Sequence, residues 1–98
     1  MELSQNLNKL TITGNIKTVS DFQDIKNLLD EITASHNSVV LHIVDSISIT
    51  SSVIGYFNKL VLKDEIDLQI NIGTEELLEL FDDLNLTDTF KAKKIQSH

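Results

Sequence analysis

The sequence predicts an α/β domain in which strands and helices alternate along the chain. Three observations carry that reading. Residues 9–13 and 66–72 alternate apolar with polar side chains, and 39–44 form a nearly continuous apolar run rich in β-branched residues, as strands do. Between and after them, apolar residues recur at helical spacing, each set preceded by a hydroxyl residue suited to cap a helix. The connections are short, which predicts parallel strands joined by right-handed crossovers.

The elements follow in order. Leu10 and Ile12 alternate with Lys9, Thr11 and Thr13, a strand with one buried face that ends at Gly14. The pattern of residues 1–7 fits either a further short strand or a loose arm. Ser20 and Gln23 read as a capping box, with Asp21 in the first turn. Phe22, Ile25, Leu28, Leu29 and Ile32 continue as an amphipathic helix ending near Ala34. Val39 to Val44 reads as a central strand covered on both faces. A loop from Asp45 to Thr50 leads into a helix carrying Val53, Ile54, Phe57, Leu60 and Val61. The strand at 66–72 has one wetter face, which suggests a place near an edge. Thr74 is set to cap a third helix bearing Leu77, Leu78, Phe81 and Leu84, with Glu75 and Glu76 in its first turn. Asn85 is a stop signal, because Asn tolerates the left-handed conformation. Leu86 and Phe90 are placed to fold back onto the core. Val40, Leu41, Ile43, Phe22, Ile25, Leu29, Phe57, Leu60, Leu77 and Phe81 are the expected core.

Composition narrows the function. The chain has 98 residues, which suits a single domain over 1–98. Its formal net charge is −7 and it has no Arg, which argues against nucleic acid. It has no Cys, which excludes disulfides and thiolate metal sites. No apolar run is long enough to span a bilayer, and MELSQNLNKL does not resemble a signal peptide. A cytoplasmic protein without membrane insertion is the expectation. His36, His42 and His98 lack ligand spacing, so no metal is expected. The acidic residues of the third helix read as a solvated face, or else as a docking face for a basic partner. There is no Gly-rich phosphate loop, no G-x-S-x-G elbow and no base beside Ser51. Neither an enzyme nor a cofactor is expected.

The chemistry concentrates at Thr50, Ser51 and Ser52, consecutive hydroxyls where strand gives way to helix. One of them suffices as a cap. The surrounding segment, VVLHIVDSISITSSVIGYF, resembles the centre of STAS domains, the family of bacterial anti-sigma factor antagonists. There an apolar strand and a loop lead to Asp-Ser-Ser-Gly or Asp-Thr-Ser-Gly opening a helix. Ungapped, Thr50 falls on the motif's Asp, Ser51 and Ser52 on its hydroxyls, and Val53 on its Gly. LTITGNI resembles the family strand that runs into Gly-Glu-hydrophobic. LFDDLNLTDTF resembles its late Leu-x-x-x-x-Gly-Leu-x-x-x-Phe segment, with Asn85 for Gly. The similarity spans roughly residues 9–92.

The resemblance implies a mixed four- to five-stranded sheet with helices mainly on one face. It further implies a partner-switching regulator in which Ser51 is phosphorylated by an anti-sigma factor kinase and reset by a phosphatase. The expected partner surface comprises Ser46, Ser48, Thr50, Ser51, Ser52, Val53 and Tyr56, and a homodimer is left open. The alternative is a constitutive, non-phosphorylated subunit of a larger assembly, such as a phospholipid-transport ABC ATPase. A small-ligand-binding domain is a weaker third reading.

Overall fold

The computed structural model describes residues 1–95; His98 lies outside them. The elements are β1 (Glu2–Asn6), β2 (Lys9–Thr13), α1 (Val19–Thr33), β3 (Ser38–Ile43), α2 (Ser51–Leu62), β4 (Asp67–Ile72), α3 (Glu75–Asp83) and β5 (Lys93–Lys94). They form an α/β fold with one five-stranded mixed sheet in the order β1-β2-β3-β4-β5. β1 pairs antiparallel with β2, and every other neighbouring pair is parallel. The first seven residues therefore do supply a strand, at the edge of the sheet.

Burial alternates along the strands. Leu10 and Ile12, Val39, Leu41 and Ile43, and Leu68, Ile70 and Ile72 are buried in one core with Ile25, Leu29, Phe57, Leu60, Leu77 and Phe81 from the helices. The other face carries Thr11, His42, Asn71 and Lys93 side by side across four strands. The helices thus cover one face, and β3 is not sandwiched between two layers. Val40 is accordingly a correction. It belongs to the open face and is half-buried there, because the pleat turns it opposite to Val39 and Leu41. β4 lies one strand in from the edge, flanked by the short β5.

Two helix ends are resolved by their hydrogen bonds. α1 is capped by Thr18, two residues before the expected Ser20. Thr18 Oγ1 accepts from Asp21 N at 3.0 Å, while Asp21 Oδ2 accepts from the amides of Thr18 (3.1 Å) and Lys17 (2.9 Å). Those bonds, the Lys17 amide foremost, pull the Asp21 carboxyl below its ordinary pKa. At α3, Asn85 takes the left-handed conformation (φ 58°). Leu86 N then donates to Phe81 O (2.8 Å) and Asn85 N to Asp82 O (3.0 Å), the paired bonds of a Schellman cap. Leu84, at the C-cap, is exposed rather than part of the apolar face. The chain then returns to bury Phe90, which meets Phe57 and Phe81 edge-on at 5.9 and 5.7 Å.

Candidate functional site

The hydroxyl cluster stands beyond the C-terminal ends of β2, β3 and β4, where three loops meet. Tertiary hydrogen bonds tie these loops together. Asp45 Oδ1 accepts from Gly14 N (2.7 Å), Asn15 Oδ1 accepts from Ile47 N (2.9 Å), and Gly73 N donates to Ile43 O (2.8 Å). Ser46 is the central fastener. It is fully buried, its hydroxyl donates to Gly14 O, and its carbonyl accepts from Thr74 Oγ1 at 2.7 Å. Ser46 is therefore removed from the expected partner surface: burial and these bonds make it a structural residue that fixes the loop above which α2 begins.

Thr50 is the N-cap of α2, with extended backbone (φ −85°, ψ 154°), and its side chain accepts from Val53 N at a long 3.4 Å. Ser51 and Ser52 are the first two helical residues and both are exposed. Their amides donate to no group among the described residues, as the first turn of a helix leaves them. No acidic side chain lies in this turn. Ser48 is exposed in the preceding loop, as is Ile47 at 51%.

Val53 and Tyr56 are the other corrections. Val53 is fully buried, because α2 turns it onto the sheet, so it presents nothing to a partner. Tyr56 is also buried, in the seam between α1 and α2. Its hydroxyl donates to Asp30, Phe22 meets its ring edge-on at 6.3 Å, and the Lys26 and Lys59 ammonium groups each lie 5.8 Å from the ring centroid. Burial, reinforced by the bond to Asp30, pushes the phenol's pKa upward. The hydrogen bonds from Lys26 and then Tyr56 hold the Asp30 carboxyl below its usual range.

Sequence reasoning missed a cleft. The N-terminal ends of α1 and α2 lie side by side and flank a cleft of about 270 Å³, lined by Lys17, Thr18, Val19, Phe22 and Gln23 from one side and Thr50 and Ser52 from the other. Val19 projects beside it, 77% exposed. Val19, an apolar residue just before the expected cap Ser20 and off the helix's apolar stripe, was the available signal. The surface around Ser51 thus combines hydroxyls, Lys17 and isolated aliphatic side chains, and α2 itself carries no acid in its first turn.

Among the described residues, no group of three or more His, Cys, Asp or Glu side chains is placed to hold a metal. No helix among them is long and apolar enough to cross a membrane. Compared with known proteins, the chain matches no family model, and no curated protein matches it significantly.

Proposed function

We propose that this protein is a partner-switching regulator of the anti-sigma factor antagonist type, binding another protein through the start of α2 and controlled by phosphate on Ser51. The observation that carries the reading is the position of Ser51. It is exposed at the first residue of a helix whose next amide is also free, on a platform of loops already fixed by Ser46 and Thr74. A phosphate there adds a charge of about −1.5 to −2 beside the positive end of the helix, which the fold tolerates. The partner does not share that tolerance. A surface that closes on Ser51, Ser52, Ser48 and the exposed Ile47 and Val19 meets a bulky hydrated dianion instead of a hydroxyl. The switch acts by exclusion, with no rearrangement of the domain. A kinase and a phosphatase complete the cycle.

One observation favours the alternative, a constitutive subunit of a larger assembly such as a lipid-transport ATPase. The first turn of α2 has no carboxylate, and Thr50 serves as the cap where the resembled motif has its acid. In that reading the same surface docks permanently and Ser51 is never modified.

The test isolates the partner by pull-down from the native cell and titrates it with unmodified and Ser51-phosphorylated protein. The expected result is a loss of affinity of at least about tenfold, or about 1.4 kcal/mol, mainly through faster dissociation. Ser51→Ala should bind like the unmodified protein, and Ser51→Asp should be partly impaired. Equal binding of both forms removes Ser51 as the control point. Absence of phosphate from residues 46–52 in the native cell favours the constitutive subunit.

A further inference from the structure

The sheet has two edges, and they are built differently. β5 is two residues long, both are lysines, and Lys94 is tied to Glu75 on α3. A short, lysine-bearing edge offers little to another strand. β1 is the reverse. All five of its residues pair in continuous register with β2, from Glu2 opposite Thr13 to Asn6 opposite Lys9, so no bulge turns it away. It has no proline, and Glu2 is its only charge in a chain that is 23% charged. Among the described residues its only neighbour in the sheet is β2, which leaves the backbone groups of its other side on an edge that no other strand pairs. Leu3, the one apolar side chain of the strand, sits only half-buried against the core beside Ile12.

We propose that β1 is a homodimer edge, where two copies pair their β1 strands antiparallel about a two-fold axis at Ser4 and so join their sheets. The strand is self-complementary in this arrangement. With Ser4 opposite its own copy, Glu2 faces Asn6 and Leu3 faces Gln5, so no like charges stand opposite. An in-register parallel pairing would set Glu2 beside Glu2. The two Leu3 side chains become diagonal neighbours on the helix-covered side and close each other's open flank. Charge also selects a second copy as the occupant. Each chain carries −7, so most of its surface repels another copy, while a basic partner would be drawn to acidic surface and not to β1. The nearly uncharged edge is where two such chains can meet. The joint is small, so the dimer is weak, with a Kd of about 10 μM to 1 mM. Salt strengthens it, because it screens the repulsion between the two acidic bodies. None of this depends on the role of Ser51.

Sedimentation velocity on the full chain tests it, over a concentration range that brackets the expected Kd, at low and high salt. The wild type should show a reversible monomer–dimer equilibrium that moves towards dimer as salt is added. Ser4→Lys and Ser4→Glu each put like charges across the axis. Each should be monomeric with an unchanged melting midpoint, since Ser4 is exposed in the monomer. Their equimolar mixture should regain a dimer, now a heterodimer. Hydrogen exchange gives a measurement on the wild type alone, in which β1 amides gain protection as concentration rises. The proposal is overturned by a wild type that stays monomeric throughout, by charged variants that still self-associate, by a mixture that stays monomeric, or by a dimer that leaves β1 exchange unchanged.

Discussion

Tyr56 is the chain's single tyrosine, and its hydroxyl is committed to a carboxylate. In the unfolded chain the phenol ionises near 10.0; in the fold, burial and Asp30 raise that value. A raised pKa contributes stability that is complete below 10.0 and is lost as pH climbs towards the folded value. Tyr56→Phe, which keeps the ring and drops the hydroxyl, should cost about 1 kcal/mol at neutral pH, a modest figure because Asp30 is about half exposed. The gap between wild type and variant in denaturant midpoint should narrow as pH rises above 10.0. A constant gap would show that the bond does not restrain the proton. The side chain's orientation was not legible in the sequence. Tyr56 follows Ser52 by one turn, and whether that turn faces solvent or a neighbouring helix depends on how α1 lies against α2. Val53 and Ser46 share this limit. Ser46 acquires its role from Gly14 and Thr74, each about thirty residues away along the chain.

The same glycine-to-alanine change should act in opposite directions on two elements. Gly55 lies inside α2, and a Cβ there would meet nothing within 4 Å. Gly55→Ala should stabilise by about 0.5–1 kcal/mol, since glycine weakens a helix interior. Gly73 lies in the turn between β4 and α3, where a Cβ would sit 1.8 Å from the Val44 carbonyl oxygen. Gly73→Ala should cost about 4 kcal/mol or more, because one of the two loops must retreat and take the Thr74–Ser46 bond with it. Thermal melts of the two variants decide the matter, and a fall for Gly55→Ala or a neutral Gly73→Ala would contradict the packing described. Helix starts were legible to different degrees. Thr74 is a lone hydroxyl before two acids, so α3 could begin in only one place. Before α1 two patterns overlap, Thr18 with Asp21 and Ser20 with Gln23. Thr18 prevails because a carboxylate accepting two amides is a stronger cap than a neutral amide side chain.

For the molecule as a whole, the decisive feature is the one-sided sheet. Laying strands down in chain order with crossovers of one hand puts every helix on the same side. Leu41 and Val40 are adjacent residues of the central strand but belong to different environments. Leu41→Ala should cost about 2–5 kcal/mol, a large part of a small domain's stability. Val40→Ala, on the open face, should cost under about 1 kcal/mol. Equal losses would mean that the open face is covered in solution. The alternation of strand and helix was plain in the sequence, as was the helix start at the hydroxyls. The open face was half legible: residues 66–72 alternate, but Val39 to Val44 reads as apolar except at His42, and a half-buried valine looks the same in a sequence as a buried one. The cleft was concealed for a related reason: it is made by two helix ends far apart in the chain.

Val53 has a stereochemical consequence for the residues before it. Successive side chains leave a helix about 100° apart. With Val53 turned fully inward, the azimuth of α2 is set, and Ser51 and Ser52 cannot share a direction. Ser51 opens to solvent, while Ser52 overlooks the cleft beside Phe22 and Gln23. A reagent approaching from solution meets the first hydroxyl away from α1 and the second at the mouth of the cleft. A group carried by Ser52 would also share that cleft with Lys17. Two chemically identical neighbours are thus made unequal by one buried valine. Regioselectivity towards any hydroxyl-directed reagent becomes a property of the helix's rotational phase.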